Sequence, residues 1–292
     1  MCPARRYASR QILWFLLWLI VFSAPVSALI VHLGSQPPMT SRMIMWCPGL
    51  AALAACLTCR IPVASLGWAW PAGRFLGYAY IFPVVYAVPV YLAVWLVVPS
   101  AFTWQAFASP FVGTYHLQGT GSGFALWFGV PTTMIWVVMG TVAWTLGEEL
   151  GWRGFLVPRV AERMGLLGTG LCTGLLWAVW HYPSLLGSTY NAHTSPVYEM
   201  ACFTTMVVGL GVIMAWIRLA SGSVWPCVLL HAVHNTLVQG VLDAATATNG
   251  RAPWLTGEFG AGLALTVALT AAGLVVRQSR IDRVRSRIYA SV

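Results

Sequence analysis

Three short stretches of the chain place ionisable and amide side chains among apolar neighbours. They are Gly147-Glu148-Glu149-Leu150-Gly151-Trp152-Arg153-Gly154, then Trp177-Ala178-Val179-Trp180-His181, then His231-Ala232-Val233-His234-Asn235. On a helix, Glu149 and Arg153 lie about 40° apart, an i,i+4 pair in the favourable order, so Arg153 can neutralise Glu149. Glu148 points about 100° away from Glu149, on the face of Trp144 and Trp152, and has no partner on its own helix. Away from water it must meet a group from another helix or take up a proton. A carboxyl group in that position suits a general base or acid. Trp177 and His181 share one helix face. His231 and Asn235 share another and aim a pair of donors at one point, with His234 displaced from both.

Taken singly, each stretch also has a purely structural reading. Glu149 and Arg153 fit a structural ion pair as well as a catalytic role. His181, and His231 with Asn235, fit hydrogen bonding between helices. Together, in a chain with only seven acidic residues and six histidines, they point to one site. Glu199, His234 and Asp243 are expected to be structural or interfacial. His32, His116 and His193 fall in or near outer loops and are expected to be bystanders. The Trp and Met residues read as core and as an interfacial belt. The seven cysteines mostly lie in apolar runs, and Cys56-x-x-Cys59 has no second pair, so they read as small buried hydrophobes.

The elements that must position these residues are membrane helices. Of the 292 residues, 59% are apolar and 8% are charged. A soluble domain carries about 25% charged residues, so the solvent of this chain is lipid. Apolar stretches long enough to span the membrane run at about 11–33, 43–60, 76–98, 128–157, 166–186, 200–217, 224–243 and 258–276. The expected fold is all-α, a polytopic membrane bundle of about eight transmembrane helices. The three chemical stretches fall in the fourth, fifth and seventh spans. Residues 61–75 read as a short interfacial connection, and 99–123 as a polar, Gly-rich loop with room for a short helix. Val26-Ser27-Ala28 resembles a signal-peptidase site, but the apolar run resumes at Leu29, so an uncleaved first helix is expected.

All 16 basic residues are Arg, and the net charge is +9. They flank apolar spans, which is the pattern of topology determinants and not of a nucleic-acid groove. With the N-terminus inside and eight spans, fourteen Arg fall on the cytoplasmic side and only Arg42 and Arg251 outside, so both termini are expected in the cytoplasm. The Arg277–Arg287 tail serves topology and contact with anionic lipid. Pro158 and Pro183 are expected to close the fourth and fifth spans, Pro226 to sit in the first turn of the seventh, and Pro83 and Pro89 to kink the third. Gly147, Gly151 and Gly154 would let a neighbouring backbone approach. Counted from the cytoplasmic ends, Glu148 and Asn235 sit about 16 Å deep and His231 about 10 Å, which fits a cavity open to the cytoplasm. His181 comes out at about 22 Å, so the fifth span is expected to start later than residue 166 or to tilt.

The ordered set Glu148-Glu149-x-x-x-Arg153, Trp177-x-x-x-His181 and His231-x-x-x-Asn235 resembles the three motifs of the CPBP intramembrane protease family. That family includes type II CAAX prenyl endopeptidases and bacterial proteins tied to bacteriocin processing and self-immunity. Its second motif usually begins with Phe, so Trp177 is a departure. The resemblance covers residues 124–243, set between an N-terminal part, 1–123, and a last helix with a basic tail, 244–292. It implies that Glu148 and His181 activate a water that attacks the scissile amide. It implies that His231 and Asn235 stabilise the oxyanion, with Glu149, Arg153 and Trp177 in support. Glu148, His181 and His231 could alternatively hold Zn²⁺, with water as the fourth ligand. The sequence lacks His-Glu-x-x-His and Asn is an uncommon zinc ligand, so the expectation is a glutamate-dependent reaction with no cofactor. Two other classes stay open: a non-catalytic immunity or scaffold protein of the same fold, and a proton-coupled carrier, against which no internal repeat is found. The all-Arg composition points to a GC-rich bacterium and hence to its plasma membrane. The expected partners are the lipid bilayer and a peptide or membrane-protein substrate, with or without a lipid, and no nucleic acid.

Overall fold

The computed structural model describes the backbone of residues 3–104, 107–108 and 125–290. The 99–123 loop, with His116, lies mostly outside the described residues. Backbone N–H and C=O groups find no partner in hydrocarbon, so a spanning chain closes its hydrogen bonds within each segment. Helices are the outcome: α1 Pro3–Leu33, α2 Pro38–Cys59, α3 Gly73–Val97, α4 over 125–161, α5 Leu166–Gly187, α6 Pro196–Ser221, α7 over 225–242, and α8 Ala261–Ala290. Only an isolated bridge, Phe102 to Thr246, joins extended backbone among the described residues.

Six of these helices, α1, α2, α3, α4, α6 and α8, are long and apolar enough to cross a membrane. α5 and α7, counted among the eight expected spans, do not reach the same combination of length and apolarity. These two carry His181, His231, His234 and Asn235, and the side chains that make the site lower their hydropathy. α6 is the central helix, with 67% of its most apolar window buried against 22% for α1 and α8. It packs on α5 and α8, α2 packs on α1 and α4, and α7 packs between α3 and α4. Leu13, Leu17 and Ile20 of α1 and Leu265 and Leu269 of α8 face outward, as lipid-facing residues should.

Two pairs of helices approach at backbone distance. A Cβ on Gly151 would lie 2.4 Å from Cβ of Pro48, and one on Gly49 would lie 2.5 Å from the Gly147 carbonyl, so α2 and α4 meet through glycine as expected. Gly174 and Gly211 play the same part between α5 and α6.

Pro83 and Pro89 lie within the third span, in α3, as expected. Pro183 and Pro158 depart from expectation: Pro183 lies inside α5. Pro158 does not close the fourth span but sits in the first turn of Val157–Ala161, the last piece of α4. In water a chain leaves the helix before proline. In lipid, leaving would strand several more backbone groups, so the helix runs on. Pro226 is in the first turn of α7 as expected. α4 also contains a wide π-helical stretch, Leu150–Leu156, and α7 another, Thr236–Leu242. Each begins immediately after the residues of interest, Glu149 and Asn235. The start of α5 stays at Leu166. The segment expected as an interfacial connection forms a 3₁₀ turn, Val63–Leu66, whose Leu66 is fully buried.

Candidate active site

α4, α5 and α7 bring the three stretches around one cavity of about 260 Å³. Glu148, Trp177, His181, His231 and Asn235 all line it. Glu149 and Arg153 do not line it and stand behind its wall, 0% and 1% exposed.

Glu148 meets its partner on the neighbouring helix: the indole Nε1–H of Trp177 donates to Oε1 of Glu148. Oε2 of Glu148 makes no hydrogen bond among the described residues. Nε2 of His181 stands 4.0 Å from Oε1 of Glu148. Nδ1 of His181 is 2.9 Å from the backbone carbonyl of Trp177. A carbonyl only accepts, so Nδ1 carries the hydrogen and the neutral ring turns the lone pair of Nε2 to the cavity. Trp177 thus fixes both groups, the carboxylate through its side chain and the imidazole through its main chain. The His181 ring is held edge-on by Trp180 and Phe203, with centroids 4.8 and 5.1 Å away.

Glu149 is the hinge of the second half. Its Oε1 accepts from NH1 of Arg153 at 2.8 Å and from Nδ1 of His231 at 2.9 Å. The expected intrahelical ion pair is therefore also a tie between α4 and α7. It leaves Nε2 of His231 as the nitrogen free to act. The Arg153 guanidinium lies 4.1 Å from the Trp177 ring centroid, a cation–π contact away from water. The main-chain carbonyl of Arg153, inside the π-helical stretch, accepts from Nε of Arg218 at 2.9 Å. Asn235 lies one helical turn beyond His231, and its amide makes no hydrogen bond among the described residues.

A second polar network, which the sequence did not reveal, forms another wall. Nε2 of His234 donates to Oε1 of Glu258 at 3.1 Å, and the Tyr86 hydroxyl meets Nδ1 of His234 at 2.8 Å. The Tyr190 hydroxyl donates to Oε2 of Glu258. Burial and the neighbouring Glu258 carboxylate hold the Tyr190 phenol well above its ordinary value, so it stays a donor. His234, expected to be structural or interfacial, lines the cavity with Gln239 and Glu258. Glu258 lies in the connection before α8, where it read as the start of an apolar span. The available signal was its being one of seven acidic residues. Asp243 accepts from Tyr91, and Glu199 accepts from the backbone and hydroxyl of Thr194 at 2.7 and 2.9 Å, both structural roles. His32 and His193 are exposed and away from the cavity.

No group of three or more His, Cys, Asp or Glu among the described residues is placed to hold a metal ion.

The family model of the Rce1-like type II CAAX prenyl endopeptidases matches residues 130–237. These residues carry every side chain of the Glu148–His181 and Glu149–His231 pairs, and Asn235. Residues 130–237 are thus similar to the Rce1-like endopeptidases. The chain is also similar to CAAX prenyl protease 2 of Methanococcus maripaludis, at 25% identity over 92 residues. That stretch is 30% of this chain and 34% of the relative, so the likeness spans about a third of each. The matched stretch lies within residues 124–243, over which the three motifs run, and α1, α2, α3 and α8 fall outside it.

Proposed function

We propose that this chain is an intramembrane endopeptidase whose catalytic pair is Glu148 and His181. One observation carries the reading: Oε1 of Glu148 and Nε2 of His181, both in the stretch similar to the Rce1-like endopeptidases, stand 4.0 Å apart on the wall of one cavity. That separation exceeds a hydrogen bond and suits a water held by both. The carboxylate takes the water's proton as its oxygen attacks the carbonyl carbon of the scissile amide. The carbonyl electrons move onto oxygen, where Nε2–H of His231 and the Asn235 amide donate. Glu149 pairs with the positive charge on a His231 ring protonated at both nitrogens. When the intermediate collapses, the proton passes to the leaving amine. Donors aimed at an oxyanion in a water-poor site are worth about 100- to 1,000-fold in rate, and a general base about 100- to 10,000-fold.

In this reading residues 124–243 form the catalytic core, flanked by 1–123 and 244–292. α5 and α7 span the bilayer with the six more apolar helices. Their 22 and 18 residues measure about 33 and 27 Å, against a hydrocarbon core of about 30 Å. Eight spans place both termini on the Arg-rich cytoplasmic side of a bacterial plasma membrane. The substrate is a peptide or membrane-protein segment, with or without a lipid.

The test is cleavage of a lipidated and unlipidated peptide library by detergent-purified protein, for wild type and Glu148→Gln, with and without a zinc chelator. Wild-type cleavage that survives the chelator and falls at least 100-fold in Glu148→Gln is expected. Loss to the chelator would move the reaction to a metal. Absence of cleavage by folded wild type would favour the non-catalytic immunity or scaffold reading.

A further inference from the structure

The cavity is lopsided along the bundle. Its wall includes Gln36 before α2, Ser41 in the first turn of α2, Ser184 near the end of α5, Thr189 and Tyr190 after α5, and Glu258 before α8. All six lie at the end of the bundle where α1 and α5 finish and α2, α6 and α8 begin. Thr189 is exposed, and Gln36, Ser41 and Tyr190 are partly so. No lining residue comes from the connections at the other end, 60–72, 162–165 and 222–224.

That other end is sealed. Leu66, Phe155 and Leu156 are fully buried there. The Leu66 carbonyl lies 3.2 Å from the place a Cβ on Gly154 would take, so the 3₁₀ turn is pressed against α4. Arg218 donates to the Arg153 carbonyl, and Arg159 to Gln11 and to the Phe155 carbonyl at 2.8 and 2.6 Å. Val224 N–H bonds the Gly67 carbonyl at 2.9 Å, and the Trp225 indole bonds the Trp68 carbonyl at 3.0 Å. The open end has a built rim instead, in which Tyr190, Glu258, His234 and Tyr86 tie the α5–α6 connection to α7 and α3.

The depth of His181 now has a reason. Measured from the Arg-rich end it is buried too far for easy access. Measured from Gly187 it lies six residues, about 9 Å, below the open rim. Arg60, Arg74, Arg159, Arg163, Arg218 and Arg277 all belong to the sealed end, and only Arg42 and Arg251 to the open one. Positively charged flanks stay in the cytoplasm.

We infer that the cavity is loaded from the face opposite the cytoplasm, and that its substrate is a peptide segment already across the membrane: a secreted peptide, or an outward tail or loop of a membrane protein. This rests on the endopeptidase reading. It replaces the cytoplasm-facing cavity expected from residue depths alone. The polar rim of Gln36, Ser41 and Thr189 offers partners to the amides of an extended chain, while among the described residues the connections at the other end contribute nothing to the cavity wall.

The test uses the full-length chain in bacterial membranes of both orientations, with the wild type giving the background of native thiols. Thr189→Cys marks the rim, and Met164→Cys, in the exposed 162–165 connection, marks the sealed end. A membrane-impermeant maleimide should label Thr189→Cys in right-side-out spheroplasts and Met164→Cys in sealed inverted vesicles, each with loss of signal in the other preparation. Spheroplasts should cleave an added impermeant peptide pool, and sealed inverted vesicles should not. Labelling of Thr189→Cys from inverted vesicles only, or cleavage by inverted vesicles only, would overturn the inference and leave the endopeptidase intact. Labelling as expected with no cleavage in either preparation would uphold the open face and overturn the endopeptidase.

Discussion

A phenylalanine at position 177 would keep a smaller aromatic ring beneath the Arg153 guanidinium but would leave Oε1 of Glu148 without a donor. Tryptophan there is more than a conservative departure from the motif, because its indole N–H reaches the carboxylate proposed as the general base. A hydrogen bond to a charged group contributes roughly 1.5–3 kcal/mol. Trp177→Phe is therefore expected to fold, to keep the ring beneath Arg153, and to lower kcat about ten-fold or more with little change in KM. An unchanged kcat would remove Trp177 from the positioning of Glu148. Glu148, Glu149, Arg153, His181, His231 and Asn235 were legible in the sequence as candidates because polar and ionisable groups are costly in lipid and few in the spans of this chain. Their connections were not. Helical spacing relates residues on one helix, whereas Trp177 to Glu148 and His231 to Glu149 cross between helices. Glu258 was missed for a related reason. It sits in a connection, and only the folded chain turns it back toward His234.

At the scale of elements, Glu149 couples α4 to α7 and Arg153 couples α4 to α5. Replacing Arg153 with Met keeps much of the volume but leaves Glu149 buried with His231 alone. Breaking a buried pair in this way costs about 3–5 kcal/mol. The Tm of detergent-solubilised Arg153→Met should fall clearly, and a Tm equal to wild type would show that the pair carries no structural weight. Gly151 tests the other contact. A larger side chain meets Pro48 of α2, and overpacking of this kind costs about 1–3 kcal/mol. Gly151→Leu should lower the Tm, whereas Gly140→Ala on the same helix, which meets nothing within 4 Å, should not. The helices and the close approach through glycine were legible from apolar length and small residues. The π-helical stretches after Glu149 and Asn235 were not, because nothing in their sequence marks a turn one residue wider. Pro158 and Pro183 misled because their rule comes from chains that can leave a helix into water.

At the scale of the molecule, an apolar chain with sixteen arginines and no lysine gave away its solvent and the clustering of its charge. It did not give away which end of the bundle is open. Residue depths counted up from the arginines assume access from that side. Leu66, Phe155 and Leu156 are buried at that end, and the inferred access is at the other. Two helices fell short of the apolar length of the other six, and they bear the imidazoles. The bundle holds its least membrane-like segments against α4 and α6, where their polar groups find each other instead of lipid. The central claim is that Glu148 and His181 work as one unit on one water. Single and double substitutions of these two residues, read as kcat on a peptide the wild type cleaves, test it most directly. Residues acting as a unit are non-additive. Glu148→Gln with His181→Ala should lose no more rate than the worse single variant. Losses that multiply in the double variant would contradict the shared water and separate the two residues' roles.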